Sequence, residues 1–125
     1  MIVDDDADTR EFLRLVLENT GADVITAESV EAALKTYRKS PPHGVVTDIR
    51  LGSSDGYALI TAIRKNDAEY RGFTAVVAVT GFASPEDKTR ALTAGFDAYI
   101  AKPFEAAELI RTLGELLQPP CDLAA

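Results

Sequence analysis

The sequence predicts an α/β fold in which helices cover both faces of a parallel sheet. Five short apolar runs alternate with five longer segments whose apolar residues recur at helical spacing, all within 125 residues. The short runs are apolar throughout instead of alternating with polar residues, which indicates strands buried on both faces. A chain of this length suits one domain and leaves little room for a second.

Polar residues, glycines and prolines delimit the predicted elements. Strands are predicted at residues 1–3, 24–25, 45–46, 75–79 and 98–101. Helices are predicted at 8–19, from a cap at Ser29 to 38, at 57–65, from a cap at Ser84 to Gly95, and at 105–117, with loops at 41–44, 50–55 and 66–73. We expect a domain over 1–118 and a tail or the start of a linker over 119–125, which begins with two prolines.

The fourth and fifth helices carry the most specific local signals. Ser84 is a typical N-cap, Pro85 suits the first turn, and Asp87 places an acid three residues after the cap. Gly95 is expected to end the fourth helix in a left-handed conformation. The residues of the fifth helix predicted to face inward are Leu109, Ile110, Leu113, Leu116 and Leu117.

Charge and composition exclude several classes of protein. Lys and Arg number 13 against 20 Asp and Glu, and the net charge of −7 argues against a nucleic-acid-binding surface. No apolar stretch approaches the length of a membrane span, and no charged-then-apolar leader precedes the first acids, so we expect no membrane contact and no signal peptide. The single cysteine, Cys121, cannot form an internal disulfide and suits a reducing cytoplasm.

Reactive polar residues follow four of the five predicted strands. Asp4 and Asp5 follow the first, Asp48 the third, Thr80 the fourth and Lys102 the fifth. Ligands of an open parallel sheet bind outside the carboxyl ends of its strands, so these side chains are expected to converge. Converging carboxylates repel unless a cation lies among them, and oxygen ligands of this kind suit Mg²⁺.

A hydroxyl and an ammonium at the same edge complement an anion bound to that cation. The residues therefore predict a Mg²⁺-assisted phosphoryl site in which one aspartate is the nucleophile. The alternative is that each of these residues is a solvated loop residue without a shared role.

Four separated motifs give the sequence a family resemblance. They are Ile2-Val3-Asp4-Asp5-Asp6, Val45-Val46-Thr47-Asp48 with Asp55-Gly56 seven and eight residues on, Val79-Thr80-Gly81, and Ala101-Lys102-Pro103-Phe104. In this order they resemble the receiver domains of two-component response regulators, over residues 2 to about 117. The segment 94–104 is also similar to the receivers of hybrid histidine kinases. The resemblance implies a flavodoxin-like (βα)5 three-layer sandwich, with a five-stranded parallel sheet of order 2-1-3-4-5 and helices on both faces.

The resemblance also implies a phosphoacceptor and a metal site. Asp48 is implied to accept a phosphoryl group from a phosphohistidine. Mg²⁺ is implied to bind Asp5 and Asp48 directly, with Asp4 acting through water or steadying the site. The backbone carbonyl of Arg50 is implied to complete the protein ligands.

Further roles follow from the same resemblance. Thr80 and Lys102 are implied to bind phosphoryl oxygens, and the bond from Lys102 to the next proline is implied to be cis. Thr80 and Tyr99 are implied to form a switch in which Thr80 moves toward the phosphoryl group and Tyr99 turns into the space it leaves. Arg50 and Phe82 flank the approach of a hydrolytic water and are expected to tune the phosphorylated lifetime.

The predicted function is phosphorylation-dependent signalling without enzymatic turnover beyond self-phosphorylation from a donor and slow autodephosphorylation. The expected partners are a histidine kinase or histidine phosphotransfer protein, and an unknown downstream protein at the face of the fourth helix, fifth strand and fifth helix. One alternative is a docking module with the same fold that works without phosphorylation. A flavodoxin-like cofactor or small-molecule enzyme is disfavoured, because three aspartates after the first strand repel a bound phosphate.

Overall fold

A parallel sheet lies at the centre of this computed structural model, which describes residues 1–51, 54–70, 72–81 and 84–117. The strands are β1 (Ile2–Val3), β2 (Thr26–Ala27), β3 (Gly44–Thr47), β4 (Arg50–Leu51), β5 (Ser54–Asp55), β6 (Ala75–Thr80) and β7 (Ala98–Ala101). The helices are α1 (Ala7–Glu18), α2 (Val30–Lys39), α3 (Gly56–Tyr70), α4 (Pro85–Ala94) and α5 (Ala106–Leu117). Among the described helices, none has the length and apolar character needed to span a bilayer.

The five strands of the main sheet are ordered β2-β1-β3-β6-β7, and every neighbouring pair is parallel. Counted among themselves, these strands have the order 2-1-3-4-5, which confirms the predicted topology. The register pairs Val3 with Thr47 and Thr80 with Ala101. Because neighbouring strands run in the same direction, the residues that follow β1, β3, β6 and β7 emerge at one edge of the sheet.

The two faces of the sheet carry separate apolar clusters. One face packs against α2, α3 and α4, and the other packs against α1 and α5. Side chains along β6 alternate between them, with Val76 and Ala78 in the first cluster and Val77 and Val79 in the second. Every residue of β6 is at most 2% exposed, which confirms the burial on both faces predicted from its uninterrupted apolar run.

Side-chain caps begin three of the helices. The hydroxyls of Ser29 and Ser84 each accept a hydrogen bond at 3.1 Å from the N–H three residues on, as predicted. Gly95 ends α4 with a φ of +120°, the left-handed conformation expected there. α1 begins earlier than the predicted residue 8, because the Asp6 carboxylate caps it by accepting from the N–H two residues on.

The prediction that the third helix ends at residue 65 is wrong, since α3 continues to Tyr70. Two contacts of Asp67 explain the extension. Arg64 donates to Asp67 at 3.1 Å within the helix, and the N–H of Thr74 donates to the same carboxylate oxygen at 3.0 Å. These contacts stabilise a further turn beyond the last inward apolar residue, and the predicted loop is reduced to residues near 72–74.

Two other segments differ from prediction. β2 lies at Thr26–Ala27 and not at 24–25, because the N–H of Ile2 donates to Ile25 and the N–H of Asp4 donates to Ala27, which places the ladder later in the chain. The segment 50–55, predicted as a loop, contains the short antiparallel pair of β4 and β5.

The inward face of α5 is narrower than predicted. Leu109 and Leu113 are buried, and Leu116 is half-buried against the same cluster. Ile110 is 38% exposed and lies beside the stripe that Leu109 and Leu113 form at a spacing of one helical turn, so its predicted inward orientation is wrong. Leu117 continues that stripe and faces Gly44 of β3, although it is 43% exposed at the end of the helix.

Candidate functional site

Main-chain hydrogen bonds between neighbouring strands place three charged residues at the carboxyl edge of the sheet. The N–H of Asp4 donates to Ala27 at 3.2 Å, and the N–H of Asp48 donates to Val3 at 3.1 Å. The N–H of Lys102 donates to Thr80 at 2.8 Å. Each of these residues is therefore fixed by the ladder at the point where its strand ends.

The Lys102 ammonium lies between two carboxylates from different strand ends. Its Nζ donates to Asp48 Oδ2 at 2.9 Å and to Asp4 Oδ2 at 3.5 Å. The side chains are 29%, 14% and 4% exposed for Lys102, Asp48 and Asp4, so this group of charges is largely withdrawn from water. The structure brings together three of the residues that the sequence predicted to converge.

Burial sets the protonation behaviour of Asp4. Loss of solvent raises the pKa of the Asp4 carboxyl above its ordinary value of 3.8, and the nearby charge of Asp48 acts in the same direction. The hydrogen bond from the N–H of Asp6 at 2.9 Å and the charge of Lys102 oppose this rise without cancelling it. The ionised carboxylate of Asp4 therefore makes folding less favourable, and a nearby cation reduces this free-energy cost.

The pKa of the Lys102 ammonium is also raised. Burial of its ammonium lowers the pKa, but the hydrogen bond to Asp48 and the charges of Asp4 and Asp48 outweigh burial and raise it overall. Lys102 is therefore a persistent cation at neutral pH.

Asp4, Asp5 and Asp6 form an acidic N-terminal cluster, and the environments of Asp5 and Asp6 differ from that of Asp4. Asp5 is exposed. Asp6 caps α1 and also accepts a hydrogen bond from the Thr9 hydroxyl at 2.5 Å, the largest of the causes that lower its pKa. The cluster thus divides into a buried acid, an exposed acid and a helix cap.

Thr80 and Tyr99 lie on the two strands that end nearest Lys102. Thr80 is fully buried at the end of β6, and Tyr99 pairs with Ala78 on β7. The Tyr99 hydroxyl is buried and has no hydrogen-bond partner among the described residues. Its pKa is raised, mainly because burial disfavours the charged form. The bond between Lys102 and Pro103 is cis, as the resemblance implied.

A close backbone approach explains the glycine that follows Asp55. The N–H of Gly56 donates to the carbonyl of Ile49 at 2.5 Å. A Cβ at this position would lie 2.9 Å from the carbonyl oxygen of Asp48, closer than real Cβ atoms come. Gly56 therefore lets the start of α3 pack directly on the backbone of Asp48.

The donor set at this edge fits a divalent cation such as Mg²⁺. Asp4 and Asp48 both present carboxylate oxygens to the Lys102 ammonium, and oxygen donors of this kind are those that Mg²⁺ takes. Within the described ranges, however, no three His, Cys, Asp or Glu residues are grouped closely enough to hold a metal ion. The implied roles of Asp5 and of the Arg50 carbonyl stay predictions, as does that of Phe82, which lies outside the described residues.

The sequence prediction missed one residue of this site. Arg10, half-buried on α1, donates from Nη1 to the main-chain carbonyl of Asp4 at 2.8 Å. The sequence feature that could have pointed to Arg10 is its position one turn into the helix that follows Asp4, Asp5 and Asp6.

We expect Asp4→Asn to raise the free energy of unfolding at neutral pH, because the folded chain holds the ionised carboxylate at a cost. The pKa of Asp4 is raised on folding, so this cost is absent below the unfolded value of 3.8, grows as the pH rises toward the folded pKa and is constant above it. Urea denaturation of both proteins across the acid-to-neutral range measures the difference, which should widen with increasing pH.

Asp5→Asn is the matched control, since it removes the same charge from the exposed neighbour. Its effect should stay within about 0.5 kcal/mol, as for other surface substitutions. A loss of stability in Asp4→Asn at neutral pH, or a difference independent of pH, would contradict the account of this carboxylate.

The chain matches a known protein family and several curated proteins. Residues 1–114 match the family of the response regulator receiver domain. The chain is 37% identical over 123 residues to an uncharacterized 14.6 kDa protein of Leptolyngbya boryana, covering 96% of this chain and 92% of that protein. It is 33% identical over 118 residues to the transcriptional regulatory protein PrrA of Mycobacterium tuberculosis, covering 94% of this chain and 49% of PrrA, and so spans about half the length of that relative.

Solved structures share the fold. The receiver domain of NtrX from Brucella abortus superposes with a TM-score of 0.85 at 31% identity, covering 95% of this chain and 98% of that one. The chemotaxis response regulator CheY4 of Vibrio cholerae gives a TM-score of 0.82 at 27% identity, covering 92% and 94%. With the strand order and the family match over most of its length, the chain belongs to the response regulator receiver domain family.

Proposed function

We propose that the chain is a phosphoacceptor in two-component or phosphorelay signalling, with Asp48 as the residue that receives the phosphoryl group. The observation that carries the proposal is the Lys102 ammonium 2.9 Å from the Asp48 carboxylate, at the same sheet edge as Asp4 and Thr80. A cation already placed beside the nucleophile offers the arriving phosphoryl group an electrostatic partner. Membership of the receiver family supports the same assignment.

In the proposed reaction, an oxygen of Asp48 attacks the phosphorus atom of a phosphohistidine on a kinase or phosphotransfer protein. An O–P bond forms as the N–P bond breaks, and the histidine nitrogen keeps the electron pair of the broken bond. Lys102 then pairs with one oxygen of the transferred group, and Thr80 donates its hydroxyl to another. The protein contributes positioning and charge neutralisation, as in other phosphoryl transfers.

We propose Mg²⁺ as the cation of this site, held by Asp5, Asp48 and the main-chain carbonyl of Arg50, with Asp4 acting through water. When bound, it neutralises charge on the carboxylates and on the transferred group. The oxygen-only donors and the raised pKa of Asp4 support a cation here.

The proposed output is a change at the face formed by α4, β7 and α5, to which Tyr99 contributes from β7. An unknown downstream protein would bind this face, without direct contact to nucleic acid or membrane. We expect slow autodephosphorylation, tuned by Arg50 and Phe82, and no enzymatic turnover. A cytoplasmic location is part of the proposal and rests on the kinase partner and the single cysteine.

We expect the wild-type chain to gain the mass of one phosphoryl group when incubated with acetyl phosphate and Mg²⁺, and Asp48→Asn to gain none, because Asp48 provides the attacking oxygen. Intact-mass spectrometry measures the product, and removing Mg²⁺ with EDTA should suppress it. Asp23→Asn is the control, since it removes an exposed carboxylate elsewhere. A folded wild-type chain that stays unmodified would favour the phosphorylation-independent docking module.

We expect Tyr99 to occupy different rotamers in the resting chain and in the chain bound to beryllofluoride and Mg²⁺. Thr80 would move toward the phosphoryl analogue, and the ring of Tyr99 would turn into the space that it leaves. The Tyr99 side chain packs on the cluster shared with α3 and α4, so this movement would also change α4 contacts. Crystal structures of both states test the proposal, and identical Tyr99 rotamers would rule out the switch.

A further inference from the structure

We propose that Arg10 is a positioning residue for the cation site, which it tunes by holding the peptide group between Asp4 and Asp5. The inference deepens the proposed function and rests on it, because it concerns the affinity of the proposed Mg²⁺ site. Arg10 touches neither the phosphoacceptor nor the transferred group in this account. It acts through the main chain.

Hydrogen bonds restrain every polar group of Asp4. Its N–H donates to Ala27 at 3.2 Å, and its carboxylate oxygens accept from the N–H of Asp6 at 2.9 Å and from Lys102 Nζ at 3.5 Å. Its remaining polar group, the main-chain carbonyl, accepts from Arg10 Nη1 at 2.8 Å. The hydrogen bond from Arg10 thus completes the restraint of this residue.

That carbonyl belongs to the peptide that links Asp4 to Asp5. The plane of the peptide fixes the direction in which the chain leaves Asp4, and therefore where the Asp5 carboxylate is carried. Asp5 is exposed, so little packing restrains its side chain. A rotation of the peptide would move the Asp5 oxygens relative to Asp4 and Asp48, which the sheet holds in place.

The position of Arg10 on α1 makes this contact possible. Side chains of a helix tilt toward its N-terminus, so an arginine in the first turns of α1 reaches back over the preceding strand end. A cation there faces the positive end of the helix dipole, which is locally unfavourable. The hydrogen bond from the guanidinium to the Asp4 carbonyl, and not a gain in helix stability, therefore explains why an arginine lies at position 10.

A simpler explanation is that Arg10 only offsets the charge of the N-terminal acids. In the described part of the chain, the guanidinium forms no ion pair with Asp4, Asp5 or Asp6, and its hydrogen bond goes to a neutral carbonyl. Arg14, one turn further along α1, behaves differently and pairs with Glu11 and Glu18.

The two explanations predict opposite signs for Mg²⁺ binding. If Arg10 acts only through its charge, its removal relieves repulsion and tightens binding of the cation. If it positions the peptide, its removal leaves Asp5 less well placed and weakens binding. The affinity for Mg²⁺ therefore separates them.

The test uses ¹⁵N-labelled chain titrated with Mg²⁺ and followed through the amide signals of Asp5 and Asp6. Arg10→Met keeps much of the aliphatic stem but removes the charge and the donor, and we expect Mg²⁺ to bind about tenfold more weakly, the lower end for lost outer-shell partners of metal ligands. Arg10→Lys keeps a donor and should recover most of the affinity. Arg14→Met removes the same charge from the same helix and should not weaken binding.

A metal-free measurement accompanies the titration. The carbonyl ¹³C signal of Asp4 should shift upfield in Arg10→Met, as the hydrogen bond is lost, and return toward its wild-type position in Arg10→Lys. Arg10→Gln, which is neutral and too short to keep the contact, replaces Arg10→Met if that variant does not fold.

Equal or tighter Mg²⁺ binding by Arg10→Met overturns the inference, as does equal weakening in Arg14→Met or an unmoved Asp4 carbonyl signal. The proposed function fails separately: a wild-type chain that binds no Mg²⁺ and accepts no phosphoryl group overturns the cation site itself. If the wild type binds Mg²⁺ and accepts phosphate while Arg10→Met matches it, only the role of Arg10 is lost.

Discussion

The placement of one ammonium between two carboxylates is the constraint on which the site of this protein depends. Lys102 follows β7, whereas Asp4 and Asp48 follow β1 and β3, so the three meet because the five strands of the main sheet are parallel and their carboxyl ends share one edge. The mostly buried carboxylates repel each other, and removing a cation from such a group is costly. The ion pairs of Lys102 therefore hold the edge together.

The rest of the fold serves to keep this edge rigid. β6 is buried on both faces and pairs with the strands on either side of it, which are followed by Asp48 and Lys102. Gly56 allows α3 to pack on the backbone of Asp48, and Asp6 caps α1 directly after the acidic pair. The apolar residues of the fold are thus gathered in two clusters, and the carboxyl edge carries the buried charges of Asp4 and Asp48.

Much of this arrangement could be predicted from the sequence because its signals are local. The uninterrupted run of β6, the caps at Ser29 and Ser84 and the glycine that ends α4 each specify an element without reference to the rest of the chain. The strand-end residues then follow from the geometry of parallel sheets. What the sequence could not supply was set by tertiary contacts: the extension of α3 by Asp67, the shifted pairing of β2, the exposure of Ile110, and the hydrogen bond from Arg10.

Lys102 supplies positive charge to Asp4 and Asp48, and the proposed Mg²⁺ would relieve the same two carboxylates. The most direct measurement is the thermal unfolding of Lys102→Met at neutral pH with increasing Mg²⁺, beside wild type and the exposed control Lys88→Met. We expect Lys102→Met to be the least stable of the three proteins without Mg²⁺, and Mg²⁺ to stabilise it more than the other two. If Mg²⁺ stabilises all three proteins equally, or none, the two carboxylates do not share a cation site and the account is contradicted.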